Sequence, residues 1–231
     1  MTRALAGHVK RSLRRLHGRL AMGFGRVARN APLSVNWGFD RGLPVDRYYA
    51  EQFLAGHSSD IRGRVLEVAE NRYSSRFGGP NVEKQDILSR HPDGQATLFG
   101  DLVDPETLPS AAFDCIVLTQ TLHLIFDLHG AVEQLHRALR PGGTLLVTVP
   151  GITPVDRGEW KDSWHWSLTR ASLARLLSGP FDRDKIVLSV YGNLYAATAF
   201  LHGAAVEELS RRKLDTFDPA YPVTVAARAM A

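Results

Sequence analysis

The chain has 231 residues, of which 44% are hydrophobic and 23% charged, and it carries a net charge of +4 at neutral pH. This length and apolar content suit one domain with extensions and exclude a disordered chain, and no apolar run approaches the ~18 residues of a membrane-spanning helix. One cysteine permits neither an intramolecular disulfide nor a thiolate-rich metal site, which favours a reducing, cytoplasmic location.

The charge is uneven. Residues 1–30 hold eight Lys/Arg and no acid, which leaves 20 basic against 24 acidic side chains in the remainder. The basicity belongs to a tail, so the body gives no reason to expect nucleic acid as a partner. Within that tail Leu5, Val9, Leu13, Leu16, Leu20 and Phe24 recur at helical spacing, opposite Lys10, Arg11, Arg14, Arg15 and Arg19. The pattern predicts a basic amphipathic helix. Such a helix can lie peripherally on an anionic membrane, enter a partner's groove, dock on its own domain or mediate self-association.

Residues 31–45 are rich in turn formers and read as a loop. Asp46 is suited to capping a helix over residues 47–54 that carries Tyr48, Tyr49 and Phe53. From residue 62 strands and helices alternate. Strands are expected over 64–69, 82–88, 96–99, 113–119 and 144–149. A helix over 128–139 is stopped by Arg140-Pro141-Gly142-Gly143. Thr169 then caps a helix to Ser178, and two last strands, 186–191 and 223–229, flank a helical segment around 197–209. This alternation predicts an α/β fold, an open and mostly parallel sheet covered on both faces, with its ligand crevice beyond the carboxyl ends of the strands. Cys115 falls inside the apolar run 113–118 and reads as a buried strand residue. No His pair with a companion Glu supports a metal site.

Three passages carry a family resemblance: Gly63-Arg-Val-Leu-Glu-Val68; Phe99-Gly-Asp-Leu102 with Leu108-Pro109 and Phe113-Asp-Cys-Ile-Val-Leu118; and Leu139-Arg-Pro-Gly-Gly-Thr-Leu-Leu-Val147. In this order and spacing, residues 62–231 resemble the class I S-adenosylmethionine-dependent methyltransferases. The resemblance implies a three-layer, Rossmann-like, seven-stranded sheet with an antiparallel last strand, plus N-terminal helices. The chain then divides into the basic helix 1–30, a loop and lid helix 31–61, and the methyltransferase-like domain 62–231. S-adenosylmethionine is the implied cofactor, and aromatic residues alternating with Arg and Asp suit a small-molecule or glycan-type acceptor.

By the same resemblance Glu67 would sit at the methionine end of the cofactor, Asp86 would take the ribose diol, and Asp101 with the backbone of Leu102 would face the adenine. Carboxylates suit these positions because hydroxyl, amino and ammonium groups all donate hydrogen bonds. The family's Gly-x-Gly-x-Gly is missing, however: the matching positions read Ala69-Glu70-Asn71-Arg72-Tyr73. Ala69 then borders the cofactor, and Tyr73 could meet the sulfonium through its ring face. After the fourth strand, Gln120 is a further cofactor candidate or a sheet-end hydrogen bonder. His123 is the candidate general base, or a structural histidine bonded to a loop carbonyl. Trp160, Trp164, His165 and Trp166 lie in one connecting loop and are candidate walls for the acceptor, with Trp37, Arg41, Tyr48 and Tyr49 completing a lid. The alternative for all of them is plain packing. Other readings of the whole are a non-catalytic relative that binds a partner or membrane through residues 1–30, and an adenosylmethionine enzyme of unusual chemistry. The missing Gly-x-Gly-x-x-Gly counts against a nicotinamide enzyme.

Overall fold

The computed structural model describes residues 30–90 and 95–231, so the expected basic helix lies outside the described residues. Seven strands form one sheet: β1 (Gly63–Val68), β2 (Val82–Ser89), β3 (Leu98–Phe99), β4 (Phe113–Thr119), β5 (Leu139–Pro150), β6 (Ile186–Tyr191) and β7 (Thr224–Met230). Their order is β3-β2-β1-β4-β5-β7-β6. The first five are parallel, while β7 runs antiparallel between β5 and β6. The expected parallel sheet with an antiparallel last strand is therefore present.

Alternation with period two gives every central strand two apolar faces. Ile116 and Leu118 of β4, Leu145 and Val147 of β5, and Val225 and Ala227 of β7 pack with the helices α2 (Leu128–Ala138) and α3 (Arg170–Leu177). Cys115, Val117, Leu146 and Ala226 point the other way, onto Phe53 and Leu54 of α1 (Val45–Gly56). Cys115 is fully buried, and burial pushes its thiol far up, so it is a core residue as expected.

Local sequence explains most helix boundaries. Asp127 accepts a hydrogen bond from Gly130 N–H at 3.0 Å ahead of α2. Thr169 and Ser172 form a capping box at the start of α3. The last helical region differs from the expectation. α4 covers Leu194–Leu201, and the chain then leaves the helix at Gly203, whose φ of +66° favours glycine. Short turns follow at Val206–Glu208 and α5 (Arg211–Leu214). Asp46 also differs: it lies inside α1, whose N-cap is Pro44, and makes no capping bond.

The segment ahead of α1 is tied to this same region. Leu33 N–H donates to the His202 carbonyl at 2.7 Å, and Val206 N–H to the Leu43 carbonyl at 2.8 Å. Arg41 forms a two-pronged ion pair with the buried Glu208. Elsewhere Arg228 of β7 grips Asp60, just before β1, at 2.7 and 2.8 Å. That hydrogen bond holds the Asp60 carboxyl below its usual range, so its contribution is present above about pH 4 and is lost as pH falls through the lowered value. Asp60→Asn should lower stability by about 1 kcal/mol at neutral pH, with the difference from wild type shrinking below about pH 4 in denaturant titrations.

Candidate functional site at the carboxyl ends of the strands

A cavity of about 850 Å³ opens where the parallel strands end. Val68 and Ala69 after β1, Leu88 and Ser89 of β2, Gly100 and Asp101 after β3, Thr119 and Gln120 after β4, and Pro150 of β5 all border it. This is the crevice beside the reversal of strand order, on either side of β1, that open α/β sheets use for ligands.

The first loop explains how the site forms without a run of glycines. Glu67 is buried, and its two carboxylate oxygens accept the backbone N–H groups of Tyr73 at 3.1 Å and Ser74 at 2.8 Å. These bonds hold the wide helical turn Ser74–Gly78 against the end of β1. Burial pushes the Glu67 carboxyl upward, and the N–H groups of Ser74 and Tyr73 oppose the shift. Ala69 adopts φ +68°, the left-handed backbone that glycine would take without cost. The chain thus makes the tight bend with only a methyl group facing the cavity. Ala69→Gly should relieve that strain and raise stability by about 0.5–1 kcal/mol, after allowing for the greater freedom of glycine in the unfolded chain. Thermal denaturation checks this.

Several predicted residues come together here. Glu67, Ala69, Asp101, Leu102, Gln120, His123, Trp160 and Trp164 border the cavity. Asp101 accepts the Val103 N–H at 3.2 Å and an ion pair from Arg90, which leaves lone pairs for further donors. Other predicted residues are elsewhere. Asp86 is in the body of β2, opposite Leu66, three residues before the strand ends. Burial works against its charge, yet bonds from Arg64 at 2.6 Å and Thr97 at 3.1 Å prevail and hold its carboxyl low. Its carboxylate is a structural partner of Arg64 and lies outside the cavity wall, where Ser89 and Arg90 stand instead.

Tyr73 also departs from expectation. The wide turn carries its ring inward against Phe77, fully buried, with the hydroxyl accepting from Arg47 at 3.2 Å. Arg41 is occupied by Glu208, Tyr48 donates to Asp215 at 2.7 Å, and Tyr49 donates to the Leu214 carbonyl at 2.8 Å. His165 is exposed and meets Phe126 edge-on, while the Trp166 indole donates to the Ile125 carbonyl at 3.0 Å. None of these side chains borders the cavity.

His123 is 2% exposed. Its backbone carbonyl accepts from His165 and Trp166, while neither ring nitrogen has a partner. It is therefore not the histidine bonded through its ring to a loop carbonyl. Its ring stands edge-on to Trp164 at 4.4 Å, and Trp164 stacks on Trp37 at 5.6 Å. Burial and the nearby Arg47 charge lower the imidazole pKa to about 4, so the ring is neutral at physiological pH.

Asp46 and Arg47 of α1, together with Trp37, Phe39, Glu70 and Phe200, complete the wall. Asp46 reads from the sequence only as a cap, and nothing there singles out Arg47. The signal available was an acid–base pair in the first turn of a helix directly after an aromatic-rich loop. Asp46 Oδ1, Gln120 Nε2, both His123 nitrogens and Trp164 Nε1 are buried without a hydrogen-bond partner. Buried polar atoms are ordinarily satisfied, and these five unpaired atoms belong to residues that border one cavity.

This donor set fits a nucleoside sulfonium carrying an amino acid. Carboxylates are available for its ammonium and adenine amino groups, a guanidinium for its carboxylate, and a glycine-like bend gives it room. No helix among the described residues is long and apolar enough to cross a membrane.

Comparison with known proteins agrees. The family model described as "Methyltransferase domain" (Methyltransf_23) matches residues 34–180. A SAM-dependent methyltransferase from Archaeoglobus fulgidus superposes with a TM-score of 0.54 at 11% identity, covering 80% of this chain and 94% of that one. The 1,6-didemethyltoxoflavin-N1-methyltransferase of Burkholderia thailandensis, solved with 1,6-didemethyltoxoflavin and S-adenosylhomocysteine bound, gives a TM-score of 0.51 at 14% identity over 80% of this chain and 77% of that one. At these identities the likeness speaks for the fold. A curated relative, "Probable polyketide synthase 5" of Dictyostelium discoideum, is 26% identical over 92 residues, which span 40% of this chain but 4% of that protein.

Proposed function

Because the chain belongs to the methyltransferase-domain family, with S-adenosylmethionine as its cofactor, we propose that it methylates a small-molecule acceptor within the cavity at the strand ends. The observation that carries this reading is the convergence of Glu67, Asp101, Arg47 and the aromatic residues Trp37, Trp160 and Trp164 on one space of about 850 Å³, room for a nucleoside cofactor and a second small molecule. A glycan acceptor, the other class raised by the sequence, has no observation of its own among the described residues.

When bound, adenosylmethionine supplies an electrophilic methyl group on a sulfonium. In this reading Glu67 keeps the Tyr73–Ser74 turn in position and presents its charge to the methionine end. Arg47 meets the carboxylate there, and Asp101 with the Leu102 backbone meets the adenine. Ser89 and Arg90, at the end of β2, replace Asp86 beside the ribose. The aromatic wall of Trp37, Trp160, Trp164 and Phe200 excludes water and aligns the acceptor, where positioning supplies most of the rate.

Calorimetric titration of the purified protein with S-adenosylhomocysteine tests the reading. Saturable binding in the micromolar range is expected. A folded protein that shows no heat of binding at millimolar ligand would overturn it.

A further inference from the structure

The cavity leaves two features without a role: the basic segment at the start of the chain and a group of exposed aromatic rings. Residues 1–29 lie outside the described residues. Their sequence holds eight Lys/Arg and no acid, with Leu5, Val9, Leu13, Leu16, Leu20 and Phe24 at helical spacing. Their junction with the body is described. Leu33 N–H donates to the carbonyl of His202, two residues past Phe200 of the cavity wall. Four residues further on, Trp37 borders the cavity and stacks on Trp164, and Phe39 borders it as well. The basic segment therefore leaves the body within a few residues of the cavity.

Phe39 and Trp160 border the cavity yet are 46% and 41% exposed, which puts them at its mouth. Phe126 is 71% exposed and directly follows Ile125 of the wall, whose carbonyl accepts from the Trp166 indole. Its ring lies 5.7 Å from that of Trp166 and 5.4 Å from that of His165, and all three are exposed. Exposed apolar residues scattered singly are normal; rings grouped beside the mouth of a cavity mark a surface that meets something.

We propose that this aromatic rim and residues 1–29 together seat the protein on an anionic lipid bilayer, with the cavity mouth toward the headgroups. The surface is independent of what the cavity binds. As a helix, the stripe from Leu5 to Phe24 would run about 28 Å in the plane of the interface, its apolar side chains down and its cations beside lipid phosphates. Salt screens that attraction. Trp and Phe rings favour the boundary between headgroups and acyl chains. Charge decides which part leads. The remaining 20 basic and 24 acidic side chains make the body negative, so it is repelled by anionic lipid and the segment must supply the attraction. Folding back onto the body would need an apolar groove for six side chains, and the exposed apolar residues flanking the junction, Val35 and Leu201, offer too little.

Sedimentation of the full chain with vesicles tests this. At about 0.1 M salt it should pellet with phosphatidylcholine vesicles containing one third phosphatidylglycerol, and at least tenfold less with phosphatidylcholine alone. Replacing Arg11, Arg14 and Arg15 together by Ser should lower partitioning at least tenfold, and Phe126→Ser at least threefold, with circular dichroism unchanged. Residues 1–29 hold no Trp, and the chain's four Trp lie in the wall or the rim, so their fluorescence reports how the body sits. Lipid brominated on its acyl chains should quench part of it. No binding to the anionic vesicles, equal binding to both kinds, undiminished binding by either variant, or unquenched emission from bound protein would overturn the proposal. A dimer in solution that Phe126→Ser disrupts, with no vesicle binding, would also overturn it and assign the rim to a second copy of the chain.

Discussion

Glu67→Gln should weaken S-adenosylhomocysteine binding at least tenfold and lower the melting temperature by about 4–8 °C. The amide keeps one carbonyl oxygen, so one of the two N–H groups at Tyr73 and Ser74 loses its acceptor and faces an NH2 group instead. Hydrogen bonds to a buried charge contribute about 1.5–3 kcal/mol, and a chain of this size shifts by about 2–4 °C per kcal/mol. The binding loss follows from the same change. Without two-point anchoring the Ser74–Gly78 turn no longer fixes the backbone at Ala69, and the negative charge at the methionine end is gone. Calorimetry and thermal denaturation together check this. Unaltered affinity would mean that Glu67 serves the loop alone.

Phe53→Ala should cost about 3–5 kcal/mol, a large share of the 5–15 kcal/mol that keeps a typical domain folded. Phe53 is fully buried between α1 and the sheet face formed by Cys115, Val117, Leu146 and Ala226, so its removal leaves a cavity that rigid strands cannot close. The effect should reach the site as well, because the same helix brings Asp46 and Arg47 to the cavity from its first turn. Urea denaturation should show the loss, and ligand affinity should fall in protein that is still folded. Phe53→Leu, which fills most of the volume, should recover most of both.

The sheet was largely legible because alternation with period two and the stop signals at Pro141-Gly142-Gly143 and Thr169 are local. Five of the strands both begin and end within a residue of their expected limits. The site was legible where a residue's role follows from its place at a strand end: Glu67, Asp101, Gln120. It failed where the role depends on a partner far along the chain. Asp86 looks like a strand-end carboxylate until the register sets it beside Arg64, and no local feature announces that pairing. Tyr73 follows the expected motif in sequence, but a wide turn buries it. The Trp-rich loop shows the same limit: Trp164 faces the cavity while its neighbours His165 and Trp166 do not, and an irregular loop has no period from which to read this. Asp46 and Arg47 enter through the return of α1 over the strand ends, a long-range contact that helical spacing cannot reveal.

The position of β7 bears on how the protein is made. It lies between β5 and β6, so β6 has no neighbour in the sheet until residues 224–230 have been synthesised. The parallel half, β1 to β5, can assemble as soon as residue 150 is clear of the ribosome. For the several seconds needed to translate the next seventy or so residues, at about 5–20 per second, the inner edge of β5 stays unpaired and apolar. Nascent chains arrested in that interval are therefore the species to which a chaperone would be expected to bind, and release should coincide with insertion of β7.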